Sequence, residues 1–157
     1  MKISLLVVGK TVDKSLISLI DEYQKRLKHY VSFKLSVIPD LKNTKHLSEN
    51  EQKEREADLI LKQIDATDEV ILLCERGKQY SSVAFADFLE QKLLQSTKHI
   101  IFVVGGAYGF SERVYNRANG KMSLSTMTFS HQMVRVFFIE QLYRAMTIIK
   151  GEPYHHQ

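Results

Sequence analysis

Residues 132–150 read QMVRVFFIEQLYRAMTIIK, with no glycine or proline and a majority of good helix formers. The segment predicts one helix of about twenty residues. At about 100° per residue, Met133, Val134, Val136, Phe137, Phe138, Ile139, Leu142, Tyr143, Met146, Ile148 and Ile149 cover most of its circumference. A helix this apolar needs partners on more than one side. A second copy of the chain is one candidate. Few polar residues remain: Arg135, Glu140, Gln141, Arg144 and Thr147. Arg135 and Arg144 are about half a turn out of phase. Either both snorkel to solvent or pair with carboxylates, or they serve one function from two subunits.

The preceding chain alternates strand and helix. Residues 2–8 are a near-continuous apolar run, as in a strand covered on both faces. Asp13 or Ser15 can cap a helix to about Tyr30, with Leu16, Ile20, Tyr23, Leu27 and Tyr30 as its stripe. A second strand, 33–38, closes at Pro39-Asp40. Ser48-x-x-Glu51 is a capping box for a charged helix to about Ile64. Its narrow apolar edge (Ala57, Ile60, Leu61, Ile64) predicts a peripheral position. Strands follow at 69–73, 99–104 and 121–124, with helices at about 82–95 and 111–117. The pattern predicts an α/β fold: one domain, 1–157, with a largely parallel sheet and helices on both faces.

Composition narrows the class. The chain has 157 residues, 44% hydrophobic and 25% charged, ordinary for a globular domain. No apolar run has transmembrane length, and the first strand lacks the pattern of a signal peptide. The single cysteine, Cys74, excludes an internal disulfide and fits a cytoplasmic location. A net charge of +4 mildly favours an anionic partner such as nucleic acid.

In parallel sheets, ligands sit beyond the carboxyl ends of the strands. Three loops qualify: 73–78, 105–109 and 124–129. Gly105 and Gly106 permit close backbone approach to a ligand or simply make a tight turn. The Ser/Thr-rich third loop supplies small hydrogen-bonding groups. Familiar nucleotide motifs fail. Only Gly9 follows the first strand, so there is no G-x-G-x-x-G. Gly77-Lys78 mimics a P-loop end, but Leu72 stands where its first glycine belongs and Gln79 replaces the Ser/Thr. The histidines form no metal-ligand motif. No Ser-His-Asp arrangement is evident.

Several motifs occur together in one order: Gly105-Gly106-x-x-Gly109; Leu124-Ser125-x-Met127-Thr128; His131-x-x-x-Arg135-x-x-x-x-Glu140-Gln141-x-Tyr143-Arg144-Ala145; and Lys150-Gly151-Glu152-x-Tyr154-His155. With the MKI…VGK start and the segment at 22–27, the set closely resembles the ribosomal RNA large subunit methyltransferase H family, in the SPOUT class. One departure is Ser130, where the family pattern leads one to expect proline; its absence is expected to loosen the turn.

The resemblance implies a trefoil knot in the C-terminal half and a homodimer. It implies methyl transfer from S-adenosyl-L-methionine to N3 of a pseudouridine in 23S rRNA of the assembled ribosome. Neither a metal nor a membrane is implied. Carried over, the cofactor positions are Leu73, Gly105, Leu124, Ser125, Thr126, Met127, Thr128 and Phe129. The pseudouridine N3 carries a weakly acidic proton, so an enzyme must remove it or stabilise the anion. Arg144 or Arg135 is the candidate for the anion. His131, or Tyr154 and His155 of the tail, is the candidate for orienting the base or taking its proton. Capping within the turn is the competing role for His131, and disorder the competing state of the tail. Other RNA targets, such as tRNA, and a non-enzymatic RNA-binding module remain alternatives.

Overall fold

The computed structural model describes residues 1–156. Strand Lys2–Val8 (β1) buries every residue after Lys2, and His99–Val104 (β4) every residue after His99. Side chains alternate between faces along a strand, so such runs require cover above and below. The sheet supplies it. Ser32–Ile38 (β2), β1, β4, Glu69–Gln79 (β3) and Gly120–Ser123 (β5) lie in the order β2-β1-β4-β3-β5, every pair parallel. Helices Lys14–Leu27 (α1), Ser82–Leu94 (α3) and Met133–Ile149 (α5) cover one face. Helices Glu49–Lys62 (α2) and Glu112–Arg117 (α4) cover the other. No helix among the described residues is long and apolar enough to cross a membrane.

The breadth of the apolar surface of α5 now has its cause. The helix lies between α1 and α3 and above β4, burying Val136, Phe138, Ile139, Leu142, Ala145 and Met146. Phe138 meets Phe102 with ring centroids 4.7 Å apart and Phe85 at 6.1 Å. Local signals set the helix starts. Asp13 Oδ1 accepts from the Ser15 and Leu16 N–H groups, and Ser48 Oγ accepts from Glu51 N–H. The capping aspartate therefore wins over Ser15.

Three expectations need correction. The charged helix α2 is not peripheral: Ala57 and Ile60 are buried, and with α4 it covers a face of the sheet. A narrow stripe suffices because each contact residue meets the flat sheet directly. Strand β3 does not end at Leu73. It continues to Gln79 after its register with β5 jumps between Leu73 and Lys78, an irregularity that bulges residues 74–77 outward. A Ser-His-Asp chain does form. Asp68 Oδ1 lies 2.9 Å from His99 Nδ1, and His99 Nε2 lies 2.8 Å from Ser4 Oγ. Ser4 and Asp68 are buried near the amino ends of the strands, so the chain ties three strand starts together rather than attacking a substrate.

Phe138→Ala should cost about 3–5 kcal/mol in urea unfolding, because the Phe85 and Phe102 rings cannot close over the void. Leu94→Ala, at an 80% exposed position, should change stability by less than ~0.5 kcal/mol.

Candidate active site

The carboxyl ends of β3 and β4 and the chain following β5 meet around one cavity of about 660 Å³. That volume suits a compact organic ligand. Its walls include Leu73, Gly105, Leu124, Ser125, Met127, Thr128, Phe129 and His131. Thr126 is exposed in the same loop and adds no wall. Two hydroxyls brace the loop: Ser123 Oγ donates to Ser125 O at 2.7 Å, and Ser125 Oγ accepts from Met127 N–H at 3.0 Å. Thr128 Oγ1 donates to Glu75 Oε1 at 2.6 Å, joining the loop to the β3 bulge.

Room is tight at the glycines, and tightest at Gly77. A Cβ on Gly105 would stand 3.2 Å from the Phe110 ring, and one on Gly106 would stand 2.5 Å from Glu56 Oε1. A Cβ on Gly77 would stand 2.4 Å from the Met122 backbone, so only glycine lets the bulge cross β5. Glu56 is buried, with Gln52 Nε2 donating to it at 3.3 Å. Burial pushes its carboxyl above the ordinary range, against the Gln52 hydrogen bond; Asp40 adds to the rise and His131 opposes it.

Arg135 departs from its candidate role. Its guanidinium is fully buried, and burial lowers its pKa. Nε donates to His131 O, Nη1 to Gly9 O and Thr11 Oγ1, and Nη2 to Val8 O, all at 2.9–3.0 Å. No face is left for a substrate anion; Arg135 pins the start of α5 to the end of β1. Gln132 adds to this, accepting from Val12 N–H and donating to Lys10 O, both at 3.1 Å. Nor does Ser130 loosen the turn. Its hydroxyl accepts from Met133 N–H at 3.0 Å and caps α5, replacing ring rigidity with a hydrogen bond.

Arg144, Tyr154 and His155 line no part of this cavity. They form a second cluster toward the far end of α5, with Arg144 roughly 13 Å along the axis from Arg135. The tail is docked rather than loose. Tyr154 OH donates to Glu140 Oε1 at 2.9 Å, and its ring packs edge-on to Tyr143 at 4.7 Å. Burial, then the Tyr23 and Glu140 hydrogen bonds, raise the Tyr154 pKa. Tyr30 donates to Glu152, which pushes the Tyr30 pKa up to about 12. Arg144 Nη2 donates to Glu140 Oε1 at 2.8 Å, and Nη1 lies 3.2 Å from His155 Nδ1. Arginine can only donate, so His155 Nδ1 accepts and a neutral ring carries its proton on Nε2. That Nε2 is buried without a partner among the described residues.

The sequence reading missed Lys53 of α2, Arg76 and Tyr115, all in the cavity wall. The only signals were the charged run at 75–78 and the helical phase of α2.

The profile of the family described as "Predicted SPOUT methyltransferase" matches residues 1–155. The chain belongs to the SPOUT methyltransferase family. The chain is 59% identical to the Flavobacterium johnsoniae protein named Ribosomal RNA large subunit methyltransferase H and 55% identical to the Parabacteroides distasonis protein of that name. Both alignments cover all of both chains. A solved structure of a probable methylase family protein from Haemophilus influenzae shares the fold. It has a TM-score of 0.51 and 13% identity, covering 99% of this chain and 70% of that one.

SPOUT methyltransferases use S-adenosyl-L-methionine. The cavity wall matches its chemistry. Glycine backbones without clearance for a side chain, small hydroxyls and apolar Leu73, Leu124 and Phe129 suit a molecule part nucleoside, part amino acid.

Two outcomes are expected. Arg135→Ala strands buried carbonyls and should cost about 3 kcal/mol in urea unfolding; a fully stable variant without activity would return Arg135 to the chemistry. Glu56→Gln tests the buried carboxyl. Its folded pKa lies above the unfolded value, so the folded chain binds more protons in between. Stability therefore falls as pH rises from the ordinary value of 4.5. The variant should melt higher than the parent at neutral pH and match it below that window. An equal offset at both ends, measured by thermal melting against pH, would contradict this.

Proposed function

We propose that the chain methylates N3 of a pseudouridine in 23S rRNA on the assembled ribosome, in the cytoplasm, as a homodimer. One observation carries the reading. The cavity that fits the methyl donor and the arginine cluster suited to the acceptor lie toward opposite ends of α5. A single chain separates the two halves of the reaction; two copies paired through α5 join them. Met133 and Phe137 are exposed on α5 beside the cavity mouth, Phe137 resting on Phe129 at 5.0 Å. This apolar face supports pairing there. The strand order, with β5 outside β3, is compatible with a trefoil threading of the C-terminal half.

S-adenosyl-L-methionine, when bound, supplies an electrophilic methyl group on sulfur. The residues of the chain have the other tasks. The 105–109 and 124–129 loops bind the donor through backbone groups and exclude water. Arg144, oriented by Glu140, places fixed positive charge at the acceptor, where the imide nitrogen must lose its proton. His155, whose Nδ1 accepts from Arg144, helps hold that guanidinium in place. Tyr154 keeps the tail on Glu140. His131, in the cavity wall, is the candidate for receiving the proton.

Arg144→Ala should lower kcat by ~10²–10³-fold while calorimetric cofactor affinity stays within about twofold. Mixing it with a cavity-blocked Gly105→Val chain tests the shared site. Random pairing gives half mixed dimers with one competent site each, about a quarter of normal activity. No recovery, or a monomer by sedimentation, sinks the two-copy reading. Mass mapping of rRNA from a deletion strain tests the target: an unmodified pseudouridine is expected, and an unchanged rRNA spectrum refutes it.

A further inference from the structure

A second cavity, of about 330 Å³, adjoins the first and shares three wall residues with it: Arg76, Glu112 and Tyr115. Arg76 comes from the β3 bulge, Lys121 from edge strand β5, and Asn119 from the turn before it. Gly77 presses the bulge onto the Met122 backbone, so Arg76 is carried on braced chain rather than on a free loop. Lys121 Nζ stands 5.7 Å from the centre of the Tyr115 ring. Nearby Arg113 is committed to Glu54 and Asp58, and Arg117 to the Asp65 and Asp68 carbonyls. Arg76 and Lys121 are both exposed and in no ion pair among the described residues. Asn119 Oδ1 accepts from Val70 N–H, which fixes the turn in place. Glu112 is the one carboxylate in the groove wall.

From this placement we infer that the groove between the β3 bulge and α4 is a track for the RNA backbone flanking the methylated base, with Arg76 and Lys121 each neutralising a phosphate. The inference rests on the RNA-methylating function proposed above. A base delivered to the first cavity brings its neighbours with it, one charge per ~3.4 Å of strand. The groove shares a wall with that cavity, so the flanking strand passes along it. Two unpaired cations on rigid backbone meet phosphates without first breaking ion pairs. Tyr115 adds an aromatic wall of the kind that single strands lie against.

The test uses large ribosomal subunits from a strain lacking the enzyme. Binding and methylation are measured across a salt series for the parent, Lys121→Ala, Arg76→Ala, the double variant and Lys121→Arg. Each removed cation should flatten the slope of log Kobs against log salt by ~0.7–0.9 and raise KM for subunits about fivefold or more. Lys121→Ala should keep kcat and calorimetric cofactor affinity within about twofold, and Lys121→Arg should restore the slope. Parent-like slope and KM in the double variant overturn the assignment while leaving the methyltransferase reading standing. Weaker binding with an unchanged slope also overturns it, giving the surface to a ribosomal protein. A parent enzyme that neither binds nor methylates subunits overturns both readings.

Discussion

A buried guanidinium holds the working end of this molecule together. Arg135 reaches from the first turn of α5 to the carbonyls of Val8 and Gly9, past the end of the central strand β1. Those carbonyls have run out of sheet, and without a donor each would be buried and unsatisfied. In return, α5 is fixed in position and rotation where it enters the fold. The loop before it, bearing Leu124 to Phe129, is thereby held against the ends of β3 and β4. Ser130 and Gln132 tighten the same joint by capping α5 and by tying the turn to the segment after β1. The cavity owes its shape to this joint, although Arg135 adds nothing to its wall.

Close packing of backbone on backbone does the rest. A Cβ at Gly77 would strike the Met122 backbone, and at Gly105 and Gly106 it would crowd Phe110 and Glu56. At Gly77 the consequence reaches furthest. The bulge it permits lifts Glu75 to the hydroxyl of Thr128 and carries Arg76 to the wall between the two cavities. One irregular stretch of strand thus braces the loop after β5 and sets a cation between the two cavities.

The helix α5 has two ends with different duties. Its start belongs to the cavity; its last turns belong to a polar cluster in which Glu140 receives both Arg144 and Tyr154. Both donors converge on one carboxylate oxygen. The tail, the arginine and the helix therefore form one preorganised unit before any substrate is present, and less ordering is left for binding.

The alternation of strands and helices, the three strand-end loops and the family are legible in the amino-acid sequence alone. These follow from local periodicity, capping residues such as Asp13 and Ser48, and motifs short enough to read in one dimension. The sequence also required that Gln132 to Lys150 be covered on several sides. Which arginine is sealed inside came from the three-dimensional packing alone. Arg135 and Arg144 look alike in sequence, but the carbonyls that bury one come from more than 120 residues away. The bulge in β3 was equally hidden, because its cause is the Met122 backbone on another strand. So was the cover that α2 gives the sheet, since a flat surface asks little of a helix stripe. Contacts between distant segments decide burial and hydrogen-bond supply, and neither quantity is a property of any local stretch of chain.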